Sequence, residues 1–239
     1  MKPLAFLALL LCSAFAVAQT AVDIAADPHY RLRMENGQVR VFAVTFGPTE
    51  KTYVRHEHNY LVVTLRDCEL VMWGKGASAI QNFRFSRGDV SFFLGEQEEG
   101  IRNDRSTECQ YITVEFLNPK VTGYRIQTDT VWSYIAGGIS APADPHVKFV
   151  NAVDLGAAAA QDVQLLAGDS FPPPEKPAAE LLVPITDVDL RKQDDSHIRK
   201  SPGGVVWIGE GRKSELTNAS NSPARFAVVD LWIPPAELN

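Results

Sequence analysis

Beyond residue 18 the chain has no apolar run near the roughly eighteen residues that a membrane-spanning helix needs. Basic clusters are also missing: no window gathers five Lys or Arg, and 23 basic against 29 acidic residues give a formal charge of −6. That balance argues against a nucleic-acid surface. Helical periodicity is almost absent, with one Ala-rich turn at 155–161 as the single helical candidate. Cysteine is scarce, at three residues. What is present, 45% hydrophobic and 22% charged residues, is enough to bury a core, so the chain is globular.

The amino terminus is set apart from the fold. Lys2 precedes an apolar stretch that closes on Ala16, Val17 and Ala18, the pattern of a secretory signal over residues 1–18 cut before Gln19. Loss of Lys2 leaves a slightly more acidic mature chain, expected to be exported, periplasmic or extracellular, and free of the membrane. A lipid anchor on Cys12 is disfavoured by the bulky Leu11 before it. Cleavage leaves Cys68 and Cys109. They are either a disulfide or two buried small residues, and sequence alone favours the unbridged reading because it cannot place their Cα atoms within reach.

The chain is written twice. Ala26, Asp27, Pro28 and His29 recur as Ala143, Asp144, Pro145 and His146; residues 46–51 (FGPTEK) read like 171–176 (FPPPEK), and 62–70 like 182–190. Residues 86–119 overlie 201–234 without a gap, pairing Gly88 with Gly203 and Asn103 with Asn218. The expected organisation is a first half over 19–119, a linker over 120–142 and a second half over 143–239. In the first half, residues 39–46, 60–66, 90–94 and 111–116 are short, β-branched and aromatic, and in the last of these Ile112, Val114 and Phe116 alternate with Tyr111, Thr113 and Glu115. The second half repeats this at 181–185, 205–208 and 226–233. Short strands with Gly/Pro punctuation predict an all-β sandwich or barrel in each half.

The chemistry-bearing residues sit in the first half. His56, Glu57 and His58 end a strand, and Gly88 is followed by Leu94, Glu96, Glu99 and Asn103. This pattern resembles the two motifs of the cupins: a His-x-His followed by Glu, then a Gly-led motif carrying a His and an Asn. Val62 stands where the first motif has its Glu, and Glu99 where the second has its His. Counting both halves, the chain resembles a two-domain cupin, which implies two tandem jelly-roll (double-stranded β-helix) barrels after a signal peptide.

On a strand, residues two apart point to one side, so His56 and His58 are expected to enter one metal shell, with Glu99 as the carboxylate. Such a face suits a divalent ion, iron, manganese or zinc, and leaves positions for a ligand. Tyr60, Arg102 and Asn103 are candidates to orient that ligand. The second half has Ser214 for Glu99 and is read as five residues shorter where the histidines would fall, so no metal site is expected there. His29 and His146, present in both copies, are read as structural turn residues. Two resemblances are set aside: 209–214 lacks the phosphate-loop spacing, and Ser170, Asp194 and His197 lack the strand-to-helix turns of a serine hydrolase.

The expected function is an exported metal-binding protein holding a small oxygen-rich ligand in its first barrel, as an oxygenase or isomerase. The alternatives are a non-catalytic binder of a sugar or organic acid, or a structural module with a relic site. A homodimer is left open.

Overall fold

The computed structural model describes residues 20–75, 80–121, 126–128, 131–133, 147–174, 177–209 and 211–232. The expected signal segment, most of the expected linker and His146 lie outside these residues, as do Lys176 and Glu210. Among the described residues, no helix is long and apolar enough to cross a membrane.

Short β-branched runs form strands because their side chains pack well on a pleated surface. The first half runs β1 (Val22–Asp23), β2 (Tyr30–Glu35), β3 (Val39–Phe46), β4 (Lys51–His56) and β5 (Tyr60–Thr64). It continues through β6 (Cys68–Gly74), β7 (Gln81–Phe85), β8 (Val90–Phe93), β9 (Gln97–Asn103) and β10 (Cys109–Phe116). A hairpin of β11 (Ile126–Thr128) and β12 (Val131–Ser133) follows. The second half holds β13 (Val147–Asp154), β14 (Ala158–Leu165), β15 (Ser170–Phe171), β16 (Ala179–Pro184) and β17 (Val188–Arg191). Then come β18 (His197–Lys200), β19 (Val206–Ile208), β20 (Leu216–Asn218) and β21 (Ala224–Leu231).

Each half is a two-sheet jelly roll. In the first, the order β2-β3-β10-β5-β8 faces β1-β4-β9-β6-β7; in the second, β13-β14-β21-β16-β19 faces β15-β20-β17-β18. The strand order is thus the same in both halves, apart from β1. The expected helical turn at 155–161 is a strand instead: Ala158, Ala159 and Ala160 lie in β14, paired with β21. Their small side chains serve sheet-on-sheet packing rather than helix propensity, since Ala158 and Ala160 are fully buried where the two halves meet.

The core has three parts. Tyr30, Val44, Phe46, Tyr60, Leu70 and Ile101 fill the first barrel, and Leu165, Phe171, Leu190 and Phe226 the second. A third cluster, including Val41, Leu61, Ile112 and Val114 with Leu181, Val183, Ala227 and Val229, joins the barrels back to back. Strands β10 and β21 are therefore buried on both faces. Ile112, Val114 and Phe116 face the neighbouring barrel, while Tyr111 packs with the interior of their own. The turns cross reciprocally. Gly88, at φ +93°, presses on Arg225 of the other half, and Gly203, at φ +74°, on Leu65; a Cβ at either would collide, in backbone that glycine alone adopts freely.

Cys68 and Cys109 form a disulfide with Cα atoms 5.2 Å apart, correcting the unbridged expectation. The two cysteines sit on β6 and β10, which belong to opposite sheets, so the bond ties the first barrel shut; the second has no counterpart.

One block of the repeat also needs correction. The Asn103 amide donates to the carbonyls of Phe46, Gly47 and Thr107, and that of Asn218 to Leu165, Leu166 and Ser222. Phe46 therefore corresponds to Leu165, not Phe171. Tyr60 and Glu180 correspond as well, because each lies opposite the matching β10 or β21 residue, Glu115 or Asp230. On this register the second half is not shortened. Its β15 stops at Phe171 because Pro172, Pro173 and Pro174 have no N–H to give a ladder, so the histidine-bearing strand end is replaced rather than deleted.

Candidate functional site

Four strands of the first barrel bring charge into its interior. Arg40 on β3 lies opposite Glu115 on β10, which lies opposite Tyr60 on β5. His56 ends β4, and Glu99 on β9 sits diagonally across from it, since Glu99 faces Val54 and Gln97 faces His56. All of these side chains are on the inner face. The result is a row of polar groups crossing an apolar barrel.

The Arg40 guanidinium pairs with Glu115: Nε donates to Oε2 at 2.9 Å, and Nη2 lies 2.7 Å from the same oxygen as an ion-pair contact. The other oxygen, Oε1, lies 3.3 Å from His56 Nδ1, and His56 Nε2 lies 3.4 Å from Glu99 Oε1. Neither contact is aligned as a hydrogen bond, so both ring nitrogens are buried without a hydrogen-bond partner among the described residues. The Tyr60 hydroxyl donates to Glu99 Oε1 at 2.7 Å. Tyr60 also stacks on the imidazole, with centroids 3.7 Å apart and planes 11° apart, and Tyr30 meets it edge-on. His56 is 1% exposed and Glu115 fully buried, so the array sits where unpaired charge is expensive.

Glu99 opens onto a small cavity walled by Tyr30, Tyr60, Phe93, Tyr111 and Thr113 and closed by apolar side chains such as Met72. Its free space is about 20 Å³, the room of one water molecule. Burial, with the neighbouring Glu99 carboxylate adding to it, pushes the phenols of Tyr30 and Tyr60 well above the usual range; burial also raises Tyr111. All three stay protonated at any physiological pH, able both to donate and to accept.

The residues expected from sequence fall into two groups. His56, Tyr60 and Glu99 are brought together. His58 is not with them: β4 stops at His56, and His58 lies half-buried in the bend that follows, where strand alternation no longer sets its direction. That bend is fixed by Asn59, whose side chain donates to the Val121 carbonyl and accepts from the Gly95 N–H. Asn103 is a clamp in both halves, its amide spent on three carbonyls, and it does not line the cavity. Arg102 is partly exposed and pairs with Asp104 on the outer side of β9. Neither is on the cavity wall. Among the described residues, no three His, Cys, Asp or Glu converge as a metal shell, so His56, His58 and Glu99 do not form the expected trio. Of these residues, His56 and Glu99 approach each other, Nε2 to Oε1, at 3.4 Å.

Glu115, Arg40, Tyr30 and Tyr111 were not singled out from sequence. The signal was present: Arg40 and Glu115 are opposite charges interrupting two runs of core residues. His29, read as structural, is so. It bonds Asp27 at 2.8 Å and stacks on Phe46. The hydrolase-like trio is scattered, with Ser170 on Thr217, Asp194 on Ser196 and His197 on Asp189.

Back-to-back jelly rolls of matching strand order, apart from β1, define the two-barrel cupin fold. Comparison with solved structures agrees. AerE from Microcystis aeruginosa superposes with a TM-score of 0.64 over 86% of this chain and 94% of its own, at 13% identity. A salicylate 1,2-dioxygenase variant from Pseudoaminobacter salicylatoxidans, solved with gentisate, gives 0.54 over 81% and 69%, at 12% identity. A cupin 2 conserved barrel domain protein from Leptotrichia buccalis gives 0.52 over 89% and 92%, at 10% identity. No family model and no curated protein matches the sequence. At these identities the likeness is one of fold, and function is argued from the site.

Proposed function

We propose that the first barrel binds a small polar ligand at Glu99 and exchanges a proton with it. One observation carries this: among the described residues Glu99 is the one charged group on the cavity wall, and His56, Glu115 and Arg40 stand in line behind it. A proton gained by Glu99 has His56 Nε2 within reach, and an imidazolium formed there faces Glu115, whose charge Arg40 already holds in place. Tyr60 fixes Glu99 through its hydroxyl and covers the imidazole face, keeping water from the array. The Cys68–Cys109 bond supports the export read from residues 1–18, because disulfides persist in oxidising compartments.

The test is a thermal-shift panel of small amines, polyols and carboxylic acids on the full chain. Glu99→Gln should abolish the response, His56→Gln should weaken it, and His58→Ala should leave it unchanged. A response that survives Glu99→Gln refutes the proposal.

A second reading has its own support. Two ligands each about 2.1 Å from a tetrahedral ion lie about 3.4 Å apart, the separation of His56 Nε2 and Glu99 Oε1. Glu115 behind Nδ1 is then the carboxylate that orients a metal-bound imidazole. Iron, manganese or zinc would be held by His56 and Glu99 and would polarise an oxygen of the ligand. Elemental analysis of protein purified without chelator separates the readings: stoichiometric metal lost in His56→Ala and retained in His58→Ala favours the second.

A further inference from the structure

The cavity of the first barrel points to a ligand class, and the argument rests on Glu99 being the group that meets the ligand. Among the described residues, no Lys, Arg or His lines the cavity; its walls are Tyr30, Tyr60, Tyr111, Phe85, Phe93 and apolar side chains, with the Glu99 carboxylate as the one charge. Arg40, in the same barrel, is spent on Glu115. A carboxylic acid entering here would meet a carboxylate and no countercharge. Thr113 supplies a second, independent observation: its side chain lines the cavity, and its hydroxyl is fully buried with no hydrogen-bond partner.

We infer that the cavity is a cage for a small ammonium group, the protonated head of a primary amine. Three kinds of acceptor face three N–H donors: a Glu99 oxygen, the idle Thr113 hydroxyl and a phenol oxygen. Aromatic walls favour cations through their ring quadrupoles, and about 20 Å³ of free space suits a head the size of water. This departs from the organic-acid alternative raised by the sequence.

The experiment measures Tm of the full-length chain in ammonium chloride and methylammonium chloride against sodium chloride and sodium acetate at equal ionic strength, with ethylene glycol as a neutral probe. Methylammonium at about ten times its Kd is expected to raise Tm by about 3 °C over sodium chloride, and acetate not at all. Thr113→Val, nearly isosteric, should weaken methylammonium binding about tenfold, and Glu99→Gln should remove it. An acetate shift equal to that of methylammonium, or a methylammonium shift untouched by both variants, overturns the inference. If ethylene glycol alone shifts Tm, through Glu99, the cation assignment falls while the Glu99 site stands; if no probe depends on Glu99, both fall.

Discussion

The two barrels place the same row of strands side by side and load it differently. In the first, Arg40, Glu115, Tyr60 and Phe93 lie opposite one another in turn; in the second the same positions hold Ala159, Asp230, Glu180 and Ile208. Replacing Arg40 by Ala159 strips the central carboxylate of its counterion. The second barrel answers with Arg212, which approaches from the loop before β20 and grips Glu180 through two bonds of 2.6 and 2.8 Å. Asp230 is left with one long contact to Gln161, at 3.4 Å, and an oxygen with no partner. Burial, and then the Glu180 charge opposite, push it up to about 7. The lesson is that a shared backbone dictates where a buried carboxylate falls, whereas its counterion decides whether it is an ion or an acid.

The largest expected effect comes from removing the counterion where it is used. Arg40→Leu should cost the first barrel about 3–5 kcal/mol by leaving Glu115 buried and unpaired, measured by urea unfolding at pH 7. The double variant Arg40→Leu, Glu115→Leu should recover most of that loss, and a double variant as unstable as the single one would break the comparison. Next in size is the disulfide, present in the first half alone. Closing 68–109 should contribute about 2–4 kcal/mol, so Cys68→Ser with Cys109→Ser should destabilise the first barrel by that amount. Hydrogen exchange resolved by region should report it there first; equal loss of protection in both halves would mean that they unfold as one unit.

Much of this architecture could be read before any coordinates. The strand at 111–116 was legible from alternation, and the equivalence of Asn103 with Asn218 from gap-free alignment, because both follow from local pattern. Which face turned inward was not legible. The apolar set Ile112, Val114 and Phe116 meets the other barrel, and the mixed set turns into its own: Tyr111 and Thr113 line the cavity and Glu115 meets Arg40 and His56. A sequence shows two faces but not that both are covered. His58 misled for a related reason: His-x-His implies one shell only while the strand continues, and β4 ends at the first histidine. The proline run after Phe171 was visible but misaligned, since matching Glu-Lys pairs outweighed the turn geometry that sets the true register.

The smallest effect sharpens the contrast from the acid's side. The folded second barrel holds the Asp230 proton up to about pH 7, whereas the same group released from the fold gives it up near 3.8. Folding therefore gains from this proton fully below pH 4, and the gain is lost as pH rises from 4 through 7. Gln161 faces the carboxyl from β14, Glu180 from β16, and Arg212 lies beyond Glu180. Asp230→Asn keeps the shape and removes the titration, so its stability should not fall across that window, and at pH 8.5 it should exceed the parent by about 1–2 kcal/mol, part of the full conversion of such a shift. At pH 4 the two should unfold alike. Parallel pH profiles for parent and variant would show that Asp230 is ionised in the fold, and the two rows would then differ in geometry but not in charge.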